Sequence, residues 1–262
     1  MTTTINATEE WSWIFALSTG QAYGEYLSGN RVKIITHKGA EPFFYFADNI
    51  ETTSITKNLR AGYRGIYLKE FDPKKYSSIW HPPPYKDYYK EFIKTNTDEV
   101  IVISNKYNIE WGVKPYNYIN LDFLEKFFKK FSSKYKIYYI RYRGIGEEYS
   151  DDVAPLDFKD YELTNKYNIE TVYDIIDTYN IGFNTAQLYI HSKAKHTISV
   201  AGGNAILSAF FGTDLVQYHN STLMSKDRGV WGSESWLSKL GCTNVIGVNS
   251  YDDLFKICNE RW

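Results

Sequence analysis

Alternating apolar and polar segments divide the second half of the chain into strands and amphipathic helices. Continuous apolar runs predict strands at residues 99–104, 136–140, 197–200, 214–218 and 244–248. Apolar residues at three- and four-residue spacing predict helices at 121–131, 170–178, 184–194, 204–211, 233–240 and 251–258. Asn120 and Asn184 are expected to cap two of these helices. Strands that alternate with helices predict βαβ units and a parallel, doubly wound sheet from about residue 98 onward.

The first half of the chain has a smaller and less regular pattern. Its apolar runs predict strands at 13–17, 31–36, 42–46 and 65–68, with short helices at 23–27 and 55–60. Three consecutive prolines at 82–84 cannot lie inside a helix or a central strand. They mark the predicted boundary between a small N-terminal domain, residues 1–85, and a C-terminal domain, residues 86–262.

Composition and charge exclude several classes of protein. The 262 residues include 30 Lys+Arg and 31 Asp+Glu, so the chain lacks the basic excess of a protein that binds nucleic acid by phosphate neutralisation. The longest apolar runs, such as 205–211, are far shorter than the roughly 20 residues that span a bilayer. Residues 1–10 do not resemble a secretory signal, and the two cysteines have neither disulfide nor zinc spacing. A cytoplasmic protein without nucleic-acid partner or membrane span is therefore expected.

Aromatic residues make up 18% of the chain, with 24 Tyr. Tyrosine offers a large contact area with a polar tip, which suits sugar or base stacking as well as protein cores. The frequent Asn, Lys, Ile and Tyr residues are also what an AT-rich genome would encode, which is the simpler explanation for most of these rings.

The most informative stretch is the turn Gly202-Gly203-Asn204, which follows a predicted strand and opens a predicted helix. Glycines let the backbone approach a ligand, and the free N–H groups at a helix start favour an anionic group such as phosphate. The pattern is neither G-x-G-x-x-G nor a P-loop. Two glycines at such a turn also serve tight packing, so packing remains an alternative to anion binding.

Two further predicted strand ends carry groups that bind anions. They are Ser104, Asn105 and Lys106 after the strand at 99–104, and Arg141 and Arg143 after the strand at 136–140. Ligands of open α/β sheets bind at the carboxyl ends of strands, and arginine matches phosphate oxygens with two parallel donors. A solvated loop and an arginine pair that balances the acidic residues of 147–152 are the alternatives. Together the three strand ends predict a site for a nucleotide or nucleotide sugar.

The stretch 184–212 resembles the donor half of a GT-B glycosyltransferase, in particular the compact enzymes of large algal viruses and some algae. A helix with the pattern N-x-x-Q-L, beginning at Asn184, is followed by a strand, the Gly-Gly-Asn turn and a helix ending in Phe211-Gly212. The segments 105–111 and 139–141 are similar too, so the resemblance covers roughly residues 98–250. It implies an α/β, GT-B-like fold in which two Rossmann-like domains with mainly parallel sheets face an interdomain cleft.

The resemblance also implies an activity. Such a protein moves a sugar, for example a pentose such as xylose or a deoxyhexose, from a nucleotide-sugar donor to a glycan or glycoprotein acceptor, in the host cytoplasm if it is viral. It needs no metal and no other cofactor, because helix ends and basic side chains neutralise the leaving diphosphate. The chain agrees with this expectation, since it has no Asp-x-Asp at a strand end and its five histidines lack metal-site spacing.

Roles in this reaction are assigned to two groups of residues. The residues expected to bind the donor are Ser104, Asn105, Lys106, Arg141, Arg143, Gly202, Gly203, Asn204 and Glu234. Gly20 and Gln21, which follow the predicted first strand, are expected to line the acceptor site. Glu234 begins a predicted helix, where its carboxylate serves either as a cap or as an acceptor for ligand hydroxyls.

The catalytic group is the least constrained part of the site. An inverting transfer requires a general base for the acceptor hydroxyl, and Asp72 and His81 are the candidates, with Glu25 as a third. A retaining transfer requires none. Four aromatic residues are candidates for stacking on sugars, namely Tyr23, Trp80, Tyr85 and Trp111.

Two other functions remain open. A nucleotide-dependent oxidoreductase is disfavoured because no G-x-G-x-x-G follows an early strand. A non-catalytic carbohydrate-binding or scaffold protein on a GT-B-like fold is the main alternative.

Overall fold

The computed structural model of the chain describes residues 1–9, 11, 14–54, 72–97, 99–109, 114–144, 155–220 and 236–262. The strand predicted at 65–68, the helix predicted at 55–60, Trp111 and Glu234 lie outside the described residues.

Three parallel strands form a small sheet at the start of the chain. They are β1 (Thr2–Ala7), β2 (Arg31–His37) and β3 (Asn49–Thr53), in that order across the sheet. Strand β2 was predicted, whereas the predicted strands at 13–17 and 42–46 are wrong. The first is a π-helix, Ile14–Thr19, and the second a 3-10 helix, Glu41–Phe44. Short apolar runs that are buried on all sides have no periodicity that separates strand from helix.

Six parallel strands form the larger sheet. They are β4 (Val100–Ser104), β5 (Lys136–Ile140), β6 (Glu170–Thr171), β7 (His196–Val200), β8 (Asp214–Tyr218) and β9 (Asn244–Val248). Their order is β6-β5-β4-β7-β8-β9. The chain thus adds strands on one side of β4 and then returns to add strands on the other side. This order is compatible with a Rossmann-like fold, and it creates a topological switch point between β4 and β7.

Nine described α-helices connect and cover the strands. They are α1 (Gly20–Leu27), α2 (Pro73–Tyr76), α3 (Tyr85–Tyr89), α4 (Leu121–Phe131), α5 (Asp160–Lys166), α6 (Val172–Tyr179), α7 (Phe183–Lys193), α8 (Gly203–Ala209) and α9 (Tyr251–Arg261). A 3-10 helix, Trp236–Leu240, precedes β9. None of the helices in the described ranges combines the length and apolar character needed to cross a membrane.

The predicted caps have different outcomes. Asn120 caps α4, where its side chain accepts a hydrogen bond from the Phe123 N–H at 2.8 Å. Asn184 does not cap α7, because the helix begins one residue earlier and Gly182 precedes it. The Asn184 amide instead donates to the Gly39 carbonyl at 2.6 Å, which ties the loop after β2 to the start of α7. The carboxyl end of the small sheet is therefore joined to the larger sheet.

The two sheets share a continuous hydrophobic core. Tyr85 is fully buried, with its ring 5.5 Å from that of Phe210 and 5.9 Å from that of Phe211. Trp80 is also buried, and its indole N–H donates to the Ala16 carbonyl at 3.1 Å. The ring contacts of Tyr85 cross the boundary predicted at residue 85. Because they are buried, Trp80 and Tyr85 are core residues and not exposed surfaces for sugar stacking. The fold is α/β with parallel sheets, as predicted, but the GT-B arrangement of two domains is not confirmed.

Candidate functional site

The loops that follow β4 and β7 meet at the switch point of the larger sheet. The two strands end side by side, since Ser104 pairs with Ser199. The Asn204 amide donates to the Asn105 carbonyl at 3.4 Å, which links the two loops. A Cβ atom on Gly202 would lie 3.8 Å from the Lys106 ammonium nitrogen. The structure therefore brings Lys106 and the glycine turn together, as the sequence predicted.

The backbone of the glycine turn has a conformation that only glycine adopts readily. Gly202 has φ 120° and ψ −152°, a region closed to residues with a Cβ atom. Its carbonyl accepts hydrogen bonds from the N–H groups of Ala205 and Ile206 at 3.1 and 3.2 Å. The amides of Gly203 and Asn204 precede these bonds and so have no intrahelical acceptor. Together with the Lys106 ammonium, they form a set of donors suited to an anion.

Asn105 holds the backbone of the loop that carries Lys106. Its side chain is buried, and its oxygen accepts hydrogen bonds from the N–H groups of Lys106 and Ile119 at 2.9 and 2.8 Å. Its amide donates to the Ile119 carbonyl at 3.0 Å and to the Tyr139 hydroxyl at 2.9 Å. Ser104 is buried as well. We therefore assign Asn105 a role in holding Lys106, and Ser104 the buried end of β4, rather than the direct contact with the donor that was expected.

Arg141 belongs to the same buried network. Its Nε lies 2.5 Å and its Nη2 2.7 Å from the two oxygens of Asp160, and its Nη1 donates to the Leu156 carbonyl at 3.3 Å. Arg141 is 3% exposed and Asp160 fully buried. The Tyr139 hydroxyl donates to the same carboxylate, and burial together with the Asp160 charge raises the pKa of Tyr139 well above its ordinary value. The predicted role of Arg141 as a diphosphate ligand is replaced by a positioning role, because its donors are used inside the protein.

Arg143 differs from Arg141 because it is exposed. Its guanidinium carbon lies 4.4 Å from the centre of the Tyr161 ring and 5.6 Å from that of Tyr173. Its backbone N–H donates to the Tyr173 hydroxyl at 3.0 Å. Stacking of this kind orients the guanidinium while leaving its donors accessible to a ligand. Arg143 thus remains a candidate for binding an anion beyond the end of β5.

The residues expected at the acceptor site have structural roles or surface positions. Gly20 and Gln21 begin a helix and do not follow a strand, because residues 14–19 are helical. A Cβ atom on Gly20 would lie 2.1 Å from the Trp80 ring, so this glycine permits close packing. Gln21 is exposed. The expectation that these two residues follow a strand on the cleft side is therefore wrong.

Asp72 and His81, the predicted catalytic residues, also lie in plain structural contexts. The Asp72 carboxylate caps α2 by accepting from the Lys74 N–H at 3.2 Å, and it lies 3.5 Å from the Lys239 ammonium. His81 is exposed, and its backbone N–H donates to the Gly20 carbonyl at 3.1 Å.

Glu25 lies at the wrong end of the small sheet for the expected role. Its carboxylate accepts hydrogen bonds from Thr3 at 3.2 Å and from Asn30 at 2.6 Å. Thr3 belongs to the amino end of β1, whereas ligands of parallel sheets bind beyond the carboxyl ends.

Glu9 is a carboxylate that the sequence reasoning missed. It follows the carboxyl end of β1 and accepts a hydrogen bond from the Ser18 hydroxyl at 2.6 Å. Burial raises the pKa of Glu9, and the Ser18 hydrogen bond partly offsets this rise. A half-buried carboxylate with a raised pKa suits proton transfer. Only Ile5 and Ala7 of β1 are buried, so the strand is too polar to be predicted, and without the strand Glu9 had no assigned place.

Comparison of the chain with protein-family models, with curated proteins and with solved structures found no match. The resemblance to GT-B glycosyltransferases therefore remains a prediction. Among the residues that the structure describes, no group of three or more His, Cys, Asp or Glu side chains is placed to hold a metal ion.

Proposed function

We propose that this protein is a glycosyltransferase that uses a nucleotide-sugar donor. The observation that carries the proposal is the convergence of Lys106 with the Gly202-Gly203-Asn204 turn at the switch point of a parallel sheet. This location is the usual binding crevice of such sheets, and its donors match a diphosphate. The sequence resemblance to GT-B glycosyltransferases is the reason for proposing a nucleotide sugar as the ligand and not a nucleotide alone.

The chemistry assigned to the site follows from the charges that develop during transfer. The bond between the anomeric carbon and the diphosphate oxygen breaks, while an acceptor hydroxyl forms the new bond to that carbon. Negative charge grows on the leaving diphosphate, where Lys106 and the amides of Gly203 and Asn204 stabilise it. Arg143 supplies a further cation at the rim. Glu9 takes the proton of the acceptor hydroxyl.

Donor binding is expected to depend on Lys106 and Gly203. At a nucleotide-sugar concentration 100-fold above Kd, the unmodified protein should be stabilised by about 2.7 kcal/mol. Lys106→Ala removes a charge-assisted hydrogen bond and is expected to weaken binding by about 10- to 100-fold. Gly203→Val fills the space above the turn and is expected to abolish binding while the fold remains. A thermal-shift series with UDP-, GDP- and dTDP-sugars measures both effects.

Lys256→Ala is the matched control, because Lys256 is an exposed lysine of α9. Its thermal shift with each nucleotide sugar should equal that of the unmodified protein. Normal donor binding by Gly203→Val would refute the phosphate assignment. Stabilisation by NAD(P) in place of nucleotide sugars would favour the oxidoreductase alternative, and stabilisation by free sugar alone would favour a carbohydrate-binding protein.

The role of Glu9 is tested by Glu9→Gln, which keeps the size and the hydrogen bond from Ser18 but cannot accept a proton. Turnover is expected to fall by about 10²- to 10⁴-fold with little change in donor affinity. Asp72→Ala and His81→Ala, the candidates from sequence, are expected to keep their turnover. The measurement is release of nucleoside diphosphate in the presence of acceptor. Loss of turnover in Asp72→Ala or His81→Ala, with none in Glu9→Gln, would reverse the assignment.

A further inference from the structure

A cavity of about 400 Å3 opens at the amino end of the larger sheet, at the edge opposite the switch point. Its walls come from the loop before β4, the first residues of β5 and β6, and the last turn of α6. Amide, carboxylate and hydroxyl groups line it, supplied by Asn96, Glu170, Thr178 and Tyr138, and the ring of Tyr179 stands at its rim. Hydrogen-bonding groups beside an aromatic ring are suited to a small polar ligand.

Tyr138 supplies a hydrogen-bond donor that a ligand in the cavity can reach. It is 3% exposed and lines the cavity, and within the described ranges its hydroxyl makes no hydrogen bond to another residue. Burial, followed by the charge of Glu170 and by Tyr179, raises the pKa of Tyr138, so the phenol stays protonated and can donate. The hydroxyl is accessible from the cavity and can donate to a ligand oxygen.

A band of aromatic rings extends from the cavity over the surface. This aromatic band consists of Tyr179, Tyr189, Phe92, Tyr88 and Tyr45. Successive ring centres are 6.4, 4.9, 5.7 and 3.8 Å apart. Tyr179, Tyr88 and Phe92 are 39%, 43% and 45% exposed. Tyr189 and Tyr45 are partly buried between them. Neighbouring exposed rings of this kind are typical of an interaction site.

The charges of this region favour an uncharged ligand. The Lys136 ammonium contacts the Glu170 carboxylate, and the Lys90 ammonium lies 3.7 Å from Asp87. Lys94 is an exposed cation that also lines the cavity, so the region carries both signs of charge. Mixed charges of this kind do not form the continuous basic stripe that a phosphate polymer requires. A sugar chain suits the region better, because its C–H faces pack on aromatic rings and its hydroxyls exchange hydrogen bonds with amide, carboxylate and phenol groups.

We propose that the cavity and the aromatic band together bind a neutral oligosaccharide. One sugar ring occupies the cavity against Tyr179, with a hydroxyl that accepts from Tyr138, and the following sugars lie along the band. The cavity lies at the amino ends of the strands, whereas Lys106 lies at their carboxyl ends. Binding of an oligosaccharide in the cavity therefore does not depend on sugar transfer at Lys106.

The test begins with the whole 262-residue chain on an array of immobilised neutral and anionic glycans. Calorimetric titration with the neutral oligosaccharide that binds most tightly then compares variants. Tyr138→Phe removes one hydrogen bond and is expected to weaken binding about tenfold. Tyr179→Ala removes the stacking platform and is expected to weaken it at least as much. Tyr76→Ala, which alters a tyrosine that is 51% exposed in α2, should bind normally.

The result that overturns the proposal is an array without neutral-glycan binding, or with binding confined to anionic glycans. Equal affinities for Tyr138→Phe, Tyr179→Ala and Tyr76→Ala would overturn it as well. The thermal shift of Tyr138→Phe with nucleotide sugar, expected to equal that of the unmodified protein, separates a lost glycan site from a lost fold. The same measurement tests donor binding, so failure of the transferase proposal can be told apart from failure of the glycan-binding proposal.

Discussion

Replacement of Asp160 by Asn is expected to destabilise the protein by about 3–5 kcal/mol. The fully buried carboxylate accepts hydrogen bonds from Arg141 through both of its oxygens. Asn has the same size but no charge, so the guanidinium would remain buried without its counter-charge. Because domains are typically stable by only about 5–15 kcal/mol, such a loss is a large share of the total. Equilibrium unfolding in urea measures it as a lower midpoint.

An exposed ion pair provides the control for this prediction. Glu125 and Lys166 lie 2.6 Å apart with side chains 45% and 58% exposed, so Glu125→Gln should leave the urea midpoint unchanged. Equal midpoints for Asp160→Asn and Glu125→Gln would contradict the importance of the buried pair. The double variant Arg141→Met with Asp160→Leu replaces both charges by apolar groups and is expected to recover much of the lost stability.

The same substitution is expected to affect the switch point. The Asp160 carboxylate accepts from the Tyr139 hydroxyl, which accepts from the Asn105 amide, and the Asn105 oxygen holds the backbone of Lys106. A change at Asp160 therefore reaches Lys106 through continuous hydrogen bonds. We expect folded Asp160→Asn to bind nucleotide sugar more weakly than Glu125→Gln, because the loop after β4 loses part of its support.

The larger sheet could be predicted because its strands and helices have different periods. Strands such as β4 and β7 are continuous apolar runs, whereas α4 repeats its apolar residues every three or four positions. In the N-terminal region this contrast is missing. Residues 14–19 are buried almost throughout yet helical, and β1 buries only two of its six residues. In both segments the burial results from tertiary packing, and the sequence has no hydrophobic periodicity that indicates the correct secondary structure.

The candidate site divides in the same way. Lys106 and the glycine turn were predictable because a position at the end of a parallel strand follows from topology alone. The role of Arg141 could not be predicted, because its partner Asp160 lies in α5, a helix that the sequence pattern did not indicate. The role of Glu9 could not be predicted either, because Glu9 follows β1, a strand that the hydrophobic pattern did not indicate. Sequence periodicity places a residue on an element, but the partner that decides its chemistry comes from elsewhere in the chain.

Acid is expected to destabilise the protein through His191. This residue of α7 is fully buried with its ring stacked on Phe211, and within the described residues neither ring nitrogen has a hydrogen-bond partner. Burial lowers the pKa of His191 from 6.5 to about 3. Above pH 6.5 the side chain is neutral in both the folded and the unfolded state. As the pH falls from 6.5 toward 3, the unfolded chain binds a proton that the folded protein excludes, which lowers stability by up to about 1.4 kcal/mol per pH unit and by about 5 kcal/mol in total.

His191→Leu removes this proton linkage at nearly constant volume. Because two unpartnered nitrogens also disappear from the core, the variant is expected to be more stable at pH 7 by about 1–3 kcal/mol. Its advantage should grow as the pH is lowered through the window from 6.5 to 3, and urea unfolding at several pH values measures that difference. His81→Gln changes an exposed histidine and should follow the unmodified protein at every pH. If His191→Leu and the unmodified protein lose stability in parallel below pH 6.5, the buried imidazole is not the acid-sensitive group, and other titrating groups of the folded protein must account for the loss.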